Sequence, residues 1–119
     1  MTEWTVLSDL CAIAQPDAAQ RAAVLPLCRS ALERLRRSLK KTADPEDPRI
    51  SRAAAADAYY DWTLRLLAQE ENVTSFKAGD VTISRSASAA FETAERVRRD
   101  AYLAVLPLLE DPYFVFRSI

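Results

Sequence analysis

The stretch LPLCRSALERLRRSL, residues 25 to 39, decides the fold. Its apolar residues Leu25, Cys28, Leu32, Leu35 and Leu39 recur at steps of three, four, three and four. At 3.6 residues per turn these positions share one face of an α-helix, so the stretch predicts a helix that packs side by side with others along a greasy seam. Upstream, Asp17 and Gln20 have the spacing of a capping box, in which each side chain satisfies a free backbone amide of the first turn, and Pro16 ends whatever precedes it. The helix is therefore expected to start just after Asp17. Pro26 falls near the second turn, where the missing amide should bend the helix or delay its regular part.

Working outward, Trp4, Leu7, Cys11 and Ala14 have helical spacing and predict a short first helix from about Glu3 to Ala14, packed through that face. On the other side, TADPEDPR carries two prolines and three acids in eight residues and predicts a linker. Asp47 then caps a third helix with Pro48 at its first position, running to about Glu70. Ala53, Ala56, Tyr60, Leu64 and Leu67 lie on one side of it; the small alanines permit close approach of a neighbour, and Tyr59, Tyr60 and Trp62 thicken the contact further on. Ser86 or Ser88 is expected to cap a fourth helix reaching about Leu109, with Phe91, Ala94, Ala101, Val105 and Leu108 inward, supported by Val97. Pro107 should weaken its last turn. The pentapeptide AVLPL occurs at 23–27 and again at 104–108, but the flanking residues do not match and we read this as coincidence.

Composition agrees. Alanine supplies 21 of 119 residues and glycine one, against an ordinary glycine share of about 7%. The length fits one domain, residues 1–119, and the expected class is all-α, a bundle of about four helices. The formal net charge of -1 gives no global positive field to attract nucleic acid. Cys11 and Cys28 lack metal-ligand spacing and there is no histidine, so both are expected to be reduced core residues, which suits a cytoplasmic setting. No apolar run reaches the ~18 residues of a membrane span, and the acidic start MTEWTVLSDLCAIA does not resemble a signal peptide.

Two segments depart from helical pattern. ENVTSFKAGDVTISRS, residues 71–86, holds the only glycine, Gly79. Val73, Thr74, Val81, Thr82 and Ile83 favour extended backbone, and Ala-Gly-Asp permits a chain reversal, which together predict a short β-hairpin-like insert. An isolated hairpin is marginal in water, so Phe76, Val81 and Ile83 should be covered, either by their own bundle or by a neighbouring subunit. The ending EDPYFVFRSI, about 110–119, predicts an extended tail with Phe114 and Phe116 to one side and Tyr113 and Val115 to the other. Burying one Phe is worth roughly 1.5–3 kcal/mol, so a tail apolar on both faces should either fold against its own helices or be held between its own bundle and a second molecule.

The helical layout, the SFKAGDVTIS insert, the long alanine-rich fourth helix and the LLEDPYFVFRSI ending together resemble the small head-tail connector (adaptor) proteins of tailed bacteriophages and prophages. The likeness spans most of the chain and is most specific at FKAGDV and DPYFVF; the N-terminal part matches only in general helical character. It implies a mainly helical, non-enzymatic virion assembly protein. Such a protein forms a ring, dodecameric by family analogy, under the portal protein and against tail-proximal connector proteins. It would be made in the bacterial host cytoplasm and end at the head-tail junction. The resemblance places Phe76, Gly79, Asp80, Val81 and Ile83 in a projecting contact and Tyr113, Phe114 and Phe116 in a tail contact.

Charges leave a second reading open. RSALERLRRSLKK, residues 29–41, holds six basic residues against one acid. Arg34, Arg36, Arg37, Lys40 and Lys41 could face DNA through salt-sensitive phosphate contacts, either passing through a connector ring or bound by a small prophage regulator or packaging factor. The same charges also suit a helix C-terminus and are partly offset by Asp44, Glu46 and Asp47. Glu92 with Arg96, and Glu95 with Arg99, have the spacing of surface ion pairs. Asp57 and Asp61 lie one turn apart but lack a third metal ligand; they read as helix-surface acids or partners of Arg52 and Arg65. With no histidine, no glycine-rich phosphate loop and no nucleophile beside a base, catalysis and a cofactor are not expected.

Overall fold

The computed structural model describes residues 1–74 and 81–110, and the side chains of 1–68 and 89–110. The fold is all-α. Helix α1 spans Glu3–Ala14, α2 Ala18–Ser38, α3 Pro48–Thr74 and α4 Val81–Val105, followed by a 3-10 turn at Leu106–Leu108.

The helix starts follow the local chemistry. Asp17 accepts from the Gln20 amide at 2.8 Å while the Gln20 side chain accepts from the Asp17 amide at 3.0 Å, the reciprocal box read from the sequence. Asp47 accepts from the Arg49 amide at 2.9 Å just ahead of Pro48, and the Arg49 guanidinium closes on the same carboxylate. These hydrogen bonds from Arg49 hold the Asp47 carboxyl down at about 2. Helix α1 stops where Gln15 turns left-handed at φ 46°, returning its amide to the Cys11 carbonyl, with Pro16 buried behind it. Pro26 does not postpone α2: the helix is continuous from Ala18, with the ring on its exposed face, where water can satisfy the carbonyl that loses its partner.

Ion pairs and hydrogen bonds give the packing directions. Glu3 meets Arg29 and the Met1 carbonyl accepts from Arg36, so α1 and α2 run antiparallel. The Met1 ammonium sits on Glu46 at 2.7 Å and Ser51 donates to Asp9, which sets α1 parallel to α3. Asp57 faces Arg98 and Tyr60 meets Phe91, so α3 and α4 are antiparallel. The beginning of α3 is the centre of the molecule. Ile50 and the run Ala53, Ala54, Ala55 and Ala56 are fully buried, because α1, α2 and α4 all pack on α3 and only small side chains let three helices close in on one.

The core combines Val6, Leu7 and Leu10 of α1, Val24, Cys28, Ala31, Leu32 and Leu35 of α2, the α3 residues, and Ala94, Tyr102, Val105 and Leu109. The α2 seam is thus the predicted one, with Leu25 and Leu39 half-buried at its ends. The α1 face is not. Trp4 is 62% exposed, and the helix is rotated so that Val6 and Leu10 join Leu7 inside. Two apolar stripes overlap at Leu7, and contact with α2 and α3 selects between them. Leu64 is also exposed, although it shares a face with Ala53 and Tyr60 in the sequence.

The insert differs from expectation. Val73 and Thr74 close α3, while Val81, Thr82 and Ile83 open α4, so both intended hairpin strands are helical in backbone, and neither Ser86 nor Ser88 starts the helix. The physical reason is cooperativity. A β-branched residue costs only a few tenths of a kcal/mol in a helix, less than is gained by propagating a turn already nucleated. Among the described residues no strand occurs. One isolated antiparallel bridge joins Leu39 to Leu109.

Candidate functional site

The insert and the tail singled out in the sequence adjoin the two ends of the α3–α4 pair. Among the described side chains, burial in α3 stops at Thr63 and in α4 begins at Ala94. Phe91 and Tyr60 meet at this level in a tilted arrangement, ring centroids 5.8 Å apart. Past it, Leu64 and Leu66 are exposed, and the α3 backbone continues to Thr74, roughly 16 Å beyond Thr63 at 1.5 Å per residue. Phe76, Gly79 and Asp80 lie outside the described residues. Val81 and Ile83 are in the first turn of α4, but the placement of their side chains lies outside the description.

At the opposite end the chain leaves α4 through the Leu106–Leu108 turn and is pinned to the end of α2. The Lys40 amide donates to the Leu108 carbonyl at 2.9 Å and the Glu110 amide to the Ser38 carbonyl at 2.7 Å. Leu109 between them is fully buried. The origin of the tail is therefore fixed, while Tyr113, Phe114 and Phe116 lie beyond the described residues.

The basic stretch is divided by the fold. Arg34 is bonded to Asp57 at 2.5 Å, Arg29 to Glu3 at 3.3 Å, and Arg36 caps the Met1 carbonyl. Arg34 and Arg36 thus serve the protomer itself. Arg37, Lys40 and Lys41 remain exposed, with no ion pair among the described residues, at the α2 terminus where positive charge also suits the helix dipole. Of the two α4 surface pairs, Glu95–Arg99 forms at 3.5 Å, as does Asp61–Arg65 on α3 at 3.2 Å.

Asp57 is not a surface acid. Its residue exposure is 5%, and its carboxylate faces Arg34 of α2 on one side and Arg98 of α4 on the other, not Arg52. Arg98 is equally buried, its guanidinium 4.4 Å from the Tyr60 ring centroid and 5.2 Å from that of Tyr102. Its Nε lies 3.2 Å from Asp57 but without hydrogen-bond alignment, so this nitrogen has no hydrogen-bond partner among the described residues. Burial, and then the Asp57 charge, push the Tyr102 phenol well above its ordinary range. Sequence reading missed this cluster. The available signal was a charged residue, Arg98, midway between Ala94 and Tyr102 on the inward stripe of α4.

Cys28 and Cys11 are free thiols, Cys28 buried and Cys11 half-buried. Burial, with Cys11 close by, pushes the Cys28 thiol up to about 11. Thiol reagents at pH 8 are therefore expected to label Cys11 first and Cys28 only on unfolding, read by mass spectrometry with and without denaturant. Because the folded values of Cys28 and Tyr102 are raised, their contribution to stability is intact below about pH 8.5 and declines as pH climbs towards the raised values. Urea midpoints measured from pH 7 to 11 should fall along this series.

Among the described residues, no group of three metal-ligating side chains converges, and no helix is long and apolar enough to cross a membrane. Comparison of the chain with family models, curated proteins and solved structures finds no match.

Proposed function

We propose that this chain is a non-enzymatic assembly protein, a phage head-tail connector that joins copies of itself into a ring beneath a portal. One observation supports the reading: the two segments suited to protein contact are attached at opposite ends of α4. The Gly79 connection joins the outer ends of α3 and α4, and the aromatic tail starts where Glu110 is tied to Ser38, at the far end of the same helix. Two different contacts at opposite ends of a stiff rod make a head-to-tail interface, which closes into a ring when the rotation per copy permits. The exposed Arg37, Lys40 and Lys41 suit weak contact with passing DNA.

Light scattering over a range of protein concentrations tests this. The parent chain should associate, alone or when mixed with its portal, while Gly79→Val and Phe114→Ser/Phe116→Ser should reduce the assembled mass at unchanged circular dichroism. Association untouched by both variants would remove the basis of the proposal. A strict monomer that binds duplex DNA tightly and sequence-selectively, with a steep salt slope, would favour the regulator instead.

A further inference from the structure

We propose that the Asp57–Arg98 pair is a register lock, the element that determines where α4 sits along α3. The apolar surfaces along the middle of the interface define this only weakly, and the backbone hydrogen bonds of Leu108 and Glu110 to α2 tie α4 at its far end alone. The middle of the buried part of α3 is a run of alanines, Ala53 to Ala56 with Ala58, and its larger side chains, Ile50 before the run and Tyr60 after it, lie at the two ends. Helix α4 carries alanine at 87, 94 and 101, a seven-residue repeat, so a slide of seven residues would bring alanine to the place of alanine along that row. The seam of α2 repeats the same way, with Leu25, Leu32 and Leu39 and with Cys28 and Leu35. Smooth, periodic surfaces leave neighbouring registers close in energy.

The buried charges break that degeneracy. In the observed register Asp57 meets Arg98 of α4 and Arg34 of α2. Moving α4 by seven residues in either direction would put Phe91 or Val105 in place of Arg98. Moving α2 by seven would replace Arg34 with Leu27, or with Lys41 from beyond the end of the helix. A slide of α4 in either direction takes Arg98 from the buried carboxylate and leaves it only the half-exposed Arg34, and a slide of α2 that brings Leu27 to Asp57 removes that one too, so these slipped arrangements are penalised while the native one is not. The lock concerns the protomer and does not depend on what the chain assembles with.

Distances between spin labels on the full chain test it. Cysteines replace the exposed Arg52 on α3 and Glu92 on α4 in a Cys11→Ala/Cys28→Ala background. The parent should give one distance population. Asp57→Leu/Arg98→Met should keep its helicity and cooperative unfolding yet show a second population, because a seven-residue slide moves α4 by about 10 Å. A single unchanged population would overturn the proposal, since apolar packing would then suffice to fix the register. Loss of cooperative folding in this variant would also overturn it, by making the cluster a source of stability.

Discussion

Asp57→Ala should lower the unfolding free energy by about 3–5 kcal/mol, the usual consequence of removing one partner from a buried ion pair. The loss comes from what is left behind. Arg98 is 6% exposed, its guanidinium is held between Tyr60 and Tyr102, and the helix it belongs to packs directly on α3. Without the carboxylate, that charge has neither water nor a counterion. Arg34 differs, because its side chain is 44% exposed and can turn to solvent. Arg34→Ala should therefore cost much less than either Asp57→Ala or Arg98→Ala. Urea denaturation of the three variants orders them, and equal losses would show that the pairs at Arg34 and Arg98 have equivalent surroundings. Replacing both members, as in Asp57→Leu/Arg98→Met, should recover most of the loss, since apolar groups of similar volume need no counterion.

The second large effect is expected from enlarging the centre of α3. Ala54→Leu introduces three further carbons at a fully buried position in a helix enclosed by α1, α2 and α4. Overpacking of this kind typically costs about 1–3 kcal/mol, and here no neighbouring helix can move away without disturbing another. Arg52→Leu, two residues earlier and exposed, should leave stability within about 0.5 kcal/mol. Thermal melts of the pair separate volume from helix propensity, because leucine is a good helix former at either position.

Assignments that rested on local chemistry were legible in the residues. The box at Asp17 and Gln20, the cap at Asp47 before Pro48 and the seam Cys28–Leu32–Leu35 depend on neighbours within one or two turns, and all are present as read. The insert was misread for a related reason. β-Branched residues around a glycine are a valid hairpin signal locally, but here they terminate one long helix and begin another, and helix propagation outweighs their weak preference. Trp4 and Asp57 were misplaced because their burial depends on side chains far along the chain. Trp4 belongs to a stripe that competes with Val6 and Leu10. Asp57 has two cationic neighbours, 23 residues before it and 41 after it, and no local rule pairs them.

Periodicity, caps and prolines in the amino-acid sequence were enough to establish four helices, their order, most of their limits and the seam of α2, since each arises from interactions within a few residues. Which face of α1 turns inward, which arginines of the basic run stay free, and that Asp57, Arg34, Arg98 and Tyr102 gather at one buried point were decided only when the helices packed. The reason is energetic. A charge, an indole or an alanine can be exposed or enclosed at similar local cost, and desolvation by distant parts of the chain makes the choice.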